Sequence, residues 1–221
     1  MLINENLNRL AEADTNKMEW VASPSGGVER KMLERDGDEV ARATTIVRFA
    51  PGSSFSEHEH DAGEEFLVLE GIFSDETGDY PVGTYLRNPK GTAHTPSSKD
   101  GCTIFVKLRQ FQDGDDKQVV IDTKTADAPW VPSGLDGLDH LPLHEFGSER
   151  VYLARFQPGA ASTEHEHDLG EEVFVLEGAL EDENGIYPQG TWLRLPDGSR
   201  HHPRSTEGCI IYVKTGHLPP L

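Results

Sequence analysis

The sequence predicts an all-β protein built as two similar jelly-roll barrels, and two observations carry that prediction. The first is punctuation. Apolar runs are short and alternating, and 22 glycines and 14 prolines are spread through 221 residues, the pattern of many short strands joined by turns. The second is an internal repeat. Shifted by 107 residues, Arg48-Phe49 falls on Arg155-Phe156, and the register holds without a gap to Lys107 on Lys214, with about 35 of 60 positions identical. Repeats of roughly 20–50 residues make solenoids or propellers, whereas this period is the size of a whole domain. The expected division is a first domain over residues 1–112, including an amino-terminal arm, and a second over 113–221. The polar, turn-forming Gln112–Lys117 is the expected junction. Upstream of Arg48 the copies drift apart, although Asp14-Thr15 through Trp20 resembles Asp122-Thr123 through Trp130. Residues 1–13 are weakly amphipathic and read as an arm or a short helix.

Within the first copy the predicted strands are 40–50, 64–70, 84–87 and 102–108, separated by Pro51-Gly52, Thr77-Gly78-Asp79 and Asp100-Gly101. The chemistry gathers on the second of these. His58 and His60 are two apart, so on a strand both imidazoles leave the same side and can hold one ion together. Asp61-Ala62-Gly63 reads as a tight turn, after which Glu64 brings a carboxylate back beside them. Downstream, the segment from Gly83 through Pro89 and Gly91 to His94 is a turn feeding a strand that can supply a fourth donor. The repeat copies the whole set as His165, His167, Glu171 and His201. Four ionisable groups pointing into a barrel are expensive to desolvate without an ion to compensate them. Three imidazoles and a carboxylate suit Zn, Fe, Mn, Ni or Co and leave one or two positions open for water or a ligand. The pattern therefore points to one divalent transition metal per barrel.

Strand alternation then sorts the neighbours. Glu64, Phe66 and Val68 share the inward face, while Leu67 and Leu69 point outward onto a face that should be covered by the other barrel or by a second copy of the chain. Glu65 and Glu172 fall on the face opposite the ligands, and His202 points away from the ion. Glu57, Glu59 and Asp61, with their copies Glu164, Glu166 and Asp168, read as solvated charges. Cys102 and Cys209 occupy matching inward positions and read as small buried residues, with an oxidant-sensing thiol as the sharper alternative. His140, His144 and His217 have no partner at ligand spacing.

These residues resemble the two motifs of the cupin family. Gly52, His58, His60, Glu64 and Gly71 meet every position of the first. Gly83, Pro89, Gly91 and His94 meet the second, whose final Asn is Ser98 here. Gly159, His165, His167, Glu171 and Gly178, then Gly190, Pro196, Gly198 and His201, repeat both motifs, with Ser205 again in place of Asn. The resemblance implies two tandem double-stranded β-helix barrels, a bicupin. More narrowly, the phrases at 27–37, 64–71, 78–85 and 101–107 resemble the cupin domain of ChrR-type anti-sigma factors. That family implies zinc at the two ligand sets and an extracytoplasmic-function sigma factor as partner in a transcriptional stress response. Iron, nickel or manganese are admitted by the same donors. Residues 1–57 contain neither His nor Cys, so the family's zinc-binding, sigma-sequestering part is not recognisable in this chain. The other class of function is an Fe(II)-dependent dioxygenase similar to acetylacetone-cleaving cupins, with a pocket expected against Phe66, Val68, Val173 and Val175.

Composition narrows the partners. With 39 acidic against 20 basic residues and a formal charge of −19, the surface repels phosphate backbones and anionic lipid, which argues against nucleic acid and membrane. No apolar run approaches the roughly 20 residues of a membrane span, and the first residues lack the regions of a signal peptide. A cytoplasmic homodimer with reduced thiols is the expectation.

Overall fold

The computed structural model describes all residues, 1–221. The chain forms two compact units, one from residues 1–5 and 19–126, the other from 6–18 and 127–221. Both are antiparallel β throughout, and the single helical turn is the 3-10 segment Thr15–Lys17.

In the first unit the main sheet runs in the order Leu2–Ile3, Val28–Gly37, Ala41–Phe49, Cys102–Leu108, Glu64–Asp75, Thr84–Asn88, Val119–Asp122. A separate two-stranded ladder joins His58–Glu59 to Ala93–His94, placing His94 directly opposite His58. The second unit repeats this plan as Val131–Pro132, Leu138–Phe146, Glu149–Phe156, Cys209–Thr215, Glu171–Glu181, Thr191–Leu195 and Ala11–Asp14. Its small ladder sets His165 opposite His201.

Two features at the ends of the repeats are set by strand pairing. The expected boundary between 112 and 113 is not where the compact units divide, because residues 113–126 pack in the first unit and 6–18 in the second. Val119–Asp122 pairs along Thr84–Asn88, and Ala11–Asp14 pairs along Thr191–Leu195 in the equivalent register. The following threonines do the same job in both units, Thr123 Oγ1 donating to Gly83 O and Thr15 Oγ1 to Gly190 O, each at 2.7 Å. A strand needs a ladder partner for its N–H and C=O groups, and this need, invisible in an alignment that begins at Arg48, decides where each edge strand goes. For the same reason the amino-terminal residues are not a helix; Leu2–Ile3 and Ala11–Asp14 are strands.

Alternation places the inner face as expected. Ile104 lies opposite both Val47 and Val68, and with Phe49, Phe66, Phe73 and Val106 they form the first core. Ala154, Phe156, Val173, Val175, Ile211 and Val213 form the second. Cys102 and Cys209 are free thiols, 4% exposed, within these cores, and burial raises both above the usual thiol range. The strand register shifts where Thr103 meets Glu70, and again between Val175 and Glu177. Gly71 and Gly178 sit beside these shifts at φ +70° and +71°, and a Cβ on either would stand 2.1 Å from a carbonyl oxygen, of Gly101 or Gly208. Only glycine satisfies both the left-handed backbone and that close approach.

The opposite face of the ligand-bearing strands is buried and charged. Glu65, 1% exposed, accepts from Tyr85 Oη at 2.9 Å and pairs with Arg87, which also pairs with Asp115. Glu172, fully buried, accepts from Trp192 Nε1 at 2.7 Å and lies 3.4 Å from His217 Nε2. These glutamates face away from the histidine clusters and are held by side-chain donors. Leu67 is 2% exposed within the chain itself, so its burial requires no second copy.

Candidate metal centres

In the first unit His58, His60, Glu64 and His94 present four donor atoms within 4.8 Å of one another. His58 lies on the small ladder, His60 just past it, and Glu64 opens the long strand after the turn at Asp61–Gly63. Glu64 Oε1 stands 3.5 Å from His60 Nε2 and 3.4 Å from His94 Nε2. Donors about 2.1 Å from a tetrahedral ion lie roughly 3.4 Å apart, so the spacing suits a shared cation. The outer ring nitrogens are occupied, His58 Nδ1 by Ser56 O at 3.1 Å and His60 Nδ1 by Thr92 Oγ1 at 2.9 Å. The Nε2 atoms of His60 and His94 are buried with no hydrogen-bond partner. Buried polar nitrogens without partners are rare, and both point at the same centre.

The second unit repeats the arrangement with His165, His167, Glu171 and His201. Glu171 lies 3.5 Å from His167 Nδ1 and 3.4 Å from His201 Nε2, and His165 Nδ1 is engaged by Thr163 O at 2.8 Å. The His167 ring is turned relative to His60, leaving its Nε2, like that of His201, buried and without a partner.

One pair of residues was missed by the sequence reading. Asp75 Oδ2 lies 3.3 Å from His94 Nδ1, and Asp182 Oδ2 lies 3.4 Å from His201 Nδ1. The other oxygen of each carboxylate is saturated by the adjoining hairpin. Thr77 N and Thr77 Oγ1 donate to Asp75 Oδ1, and Asn184 N and Tyr187 Oη donate to Asp182 Oδ1. A carboxylate anchored on one side and aimed at the outer nitrogen of an imidazole fixes the ring and raises its basicity toward a metal. The signal was present: Asp75 and Asp182 are 107 residues apart in the repeat register. What hid it was their place between the two motifs, in a hairpin that neither motif specifies.

Burial sets the charge state in the first cluster. It pushes His60 down to about 4, holds His94 below the usual imidazole range, and pushes Glu64 up to about 7 against a hydrogen bond from Asn88. In the second cluster burial opposes the charge on Glu171 as well, but the close approach of His201 and the other neighbouring imidazoles outweigh it. Glu171 therefore lies below the usual carboxylate range; Glu171 and Asp182 likewise hold His201 above the usual imidazole range against burial. Burial opposes charge on His60, Glu64 and His94 and on His167, Glu171 and His201, and a cation at the centre would relieve that cost.

The ChrR cupin-like domain profile matches residues 8–112 and again 117–219. The chain belongs to the ChrR cupin-like domain family. Comparison with curated proteins gives no match. Among solved structures, this bicupin is similar to a candidate dioxygenase from Nostoc punctiforme, with TM-score 0.78 and 14% identity over 95% of this chain and 83% of that one. It is also similar to the YlbA protein of Escherichia coli, with TM-score 0.72 and 15% identity over 99% and 96% of the chains. Oxalate decarboxylase from Bacillus subtilis is more distant, with TM-score 0.61 and 12% identity over 93% and 75%. Identities this low establish the cupin fold alone. No helix is long and apolar enough to cross a membrane.

A cavity of about 460 Å³ in the first cupin barrel reaches His58, His60, Glu64 and His94. Its apolar wall is Val47, Phe49, Phe55, Phe73, Ile104 and Val106. The expected lining by Phe66 and Val68 is thus corrected; both are sealed in the core at 2% and 1% exposure. The second barrel's cavity is about 240 Å³, and likewise is bounded by Leu138, Phe156, Ile211 and Val213 rather than by Val173 and Val175. Glu57, Glu59, Asp61 and their copies are exposed as expected, with Asp61 paired to Arg109 and Glu166 to Arg200. His140 lines the second cavity against Tyr152, ring centroids 4.7 Å apart.

Proposed function

We propose that each barrel holds one divalent transition-metal ion, zinc in the resting protein, through His58, His60, Glu64 and His94 and through His165, His167, Glu171 and His201. The chain then acts as a metal-dependent sensing module of the ChrR type, reporting the state of its sites to a regulatory partner such as an extracytoplasmic-function sigma factor. The observation carrying the metal reading is the gathering, twice, of three imidazoles around one buried carboxylate, with donor atoms within 4.8 Å of one another. Such an ion supplies Lewis acidity or an open position for an exogenous ligand. The chain's own residues orient it, with Asp75 and Asp182 locking one ring in each set.

Metal analysis tests the ligands directly. Wild type is expected to retain two equivalents per chain after dialysis, and His94→Ala and His201→Ala one each. Two tightly held equivalents in either variant would refute the assignment. Co-purification of a sigma factor whose association changes on oxidant treatment tests the regulatory step.

The cavity reaching the first histidine cluster leaves room for a second reading, in which the iron-loaded protein is a dioxygenase acting on small diketones. Oxygen uptake by Fe(II)-loaded protein with acetylacetone separates the two, since a sensing module shows none above the metal-free control.

A further inference from the structure

The two barrels carry the same ligands but different cavities, and the difference traces to a few positions. Thr45 lines the first cavity; its counterpart in the repeat register is Tyr152, which lines the second and whose phenol is raised by burial and by the Glu171 carboxylate. A phenol ring beside Glu171 occupies space that a threonine leaves open, consistent with about 240 Å³ against 460 Å³. Strand pairing extends the comparison. Arg35 lies opposite Ala43 and Glu145 opposite Arg150, so a buried arginine in the first barrel is replaced by an exposed glutamate, ion-paired to Arg150 at 3.0 Å, in the second.

Arg35 is unusual among the cations of the first cavity. Arg30 is paired with Glu39 at 3.1 Å, and Arg109 with Asp61. Arg35 is 4% exposed, lines the cavity, and donates to the backbone carbonyl of Asp38. The structure gives it no carboxylate within ion-pair distance, although Asp38 and Glu39 are near enough to feel its charge and Arg30 repels it. Guanidinium groups this buried are ordinarily matched by a carboxylate or phosphate in bidentate contact.

We propose that the first barrel binds a small organic carboxylate, its charge received by Arg35 and its apolar body lying against Val47, Phe49, Ile104 and Val106, and that the second barrel binds none. The inference deepens the reading of the first metal centre and rests on that reading for the far end of the cavity. A mostly apolar chamber with one arginine that lacks a carboxylate at ion-pair distance suits a monoanion with a hydrocarbon portion better than a polyanion or a sugar. Tyr152 and the loss of the arginine narrow the same space in the second copy and remove its cation.

Calorimetry on the zinc-loaded full chain, with hexanoate and the isosteric neutral hexanamide as probes, tests this. One site per chain is expected, with hexanoate favoured at least tenfold. Arg35→Gln should weaken hexanoate about 10- to 100-fold, the range for a charge-assisted hydrogen bond, and leave hexanamide unchanged. Thr45→Tyr, which installs the second barrel's residue, should abolish binding of both while retaining two zinc ions. It also decides the matter if Arg35→Gln does not fold. Equal affinity for the two probes, two equivalents per chain, indifference to both variants, or no hexanoate binding would overturn the proposal. Arg35-dependent preference for hexanoate in a protein that retains no metal would instead overturn the metal reading and leave this one standing.

Discussion

Replacing Asp75 by Asn isolates the residue that sequence spacing did not reveal. In wild type one carboxylate oxygen is committed to the Thr77 donors and the other lies 3.3 Å from His94 Nδ1, with both side chains 5% exposed. Asparagine keeps the shape but loses the charge, and it can turn an N–H₂ toward the ring instead of an acceptor. A hydrogen bond to a charged group is worth about 1.5–3 kcal/mol. At 1.36 kcal/mol per tenfold this is roughly a 10- to 100-fold loss of metal affinity, the same range found for outer partners of metal-bound histidines. Competitive titration with a zinc chelator should therefore resolve one weakened site and one unchanged site in Asp75→Asn. Asp182→Asn should reverse which barrel is affected. The reasoning fails if both sites stay within threefold of wild type, or if both weaken together in a single variant.

Further outcomes follow from the same geometry. Gly71→Ala and Gly178→Ala each drive a Cβ to 2.1 Å from a carbonyl oxygen at positive φ; each is expected to cost ~3 kcal/mol or more in urea denaturation, and a loss under 1 kcal/mol would show that the strand yields more easily than its packing implies. In the metal-free protein, His60 at about 4 contributes stability that is complete above the unfolded value of 6.5 and declines as pH falls toward 4. Glu64 at about 7 does the reverse, losing stability as pH rises from 4.5 to 7. The two slopes oppose each other between pH 4.5 and 6.5, so removing one exposes the other. Urea midpoints of metal-free Glu64→Gln, relative to wild type, should rise across that window, by up to ~1.4 kcal/mol per pH unit at the steepest; a constant difference contradicts the burial argument. Chelation should lower the stability of wild type by about 4 kcal/mol per site if free metal had been 1,000-fold above Kd, an effect absent at the first site of His94→Ala.

Much of this molecule is written locally. The two-residue spacing of His58 and His60, the turn before Glu64 and the copying of both at a shift of 107 required only strand alternation and counting. The fold class and the gathering of the two His/Glu clusters were legible for that reason, as was the placement of Glu65 and Glu172 on the other face. Three features depended on contacts between residues far apart in the chain. Ala11–Asp14 and Val119–Asp122 take their places because an unpaired strand edge must find a ladder, and no local pattern names which one. Asp75 and Asp182 reach the ligands only because a hairpin folds back over the small ladder. The cavities differ through Thr45 and Tyr152, Arg35 and Glu145, positions at or beyond the edge of the aligned repeat, where only strand register shows that they correspond. Spacing along a strand determines which side chains share a face; what that face encloses is decided by the strands packed across from it, and those come from elsewhere in the chain.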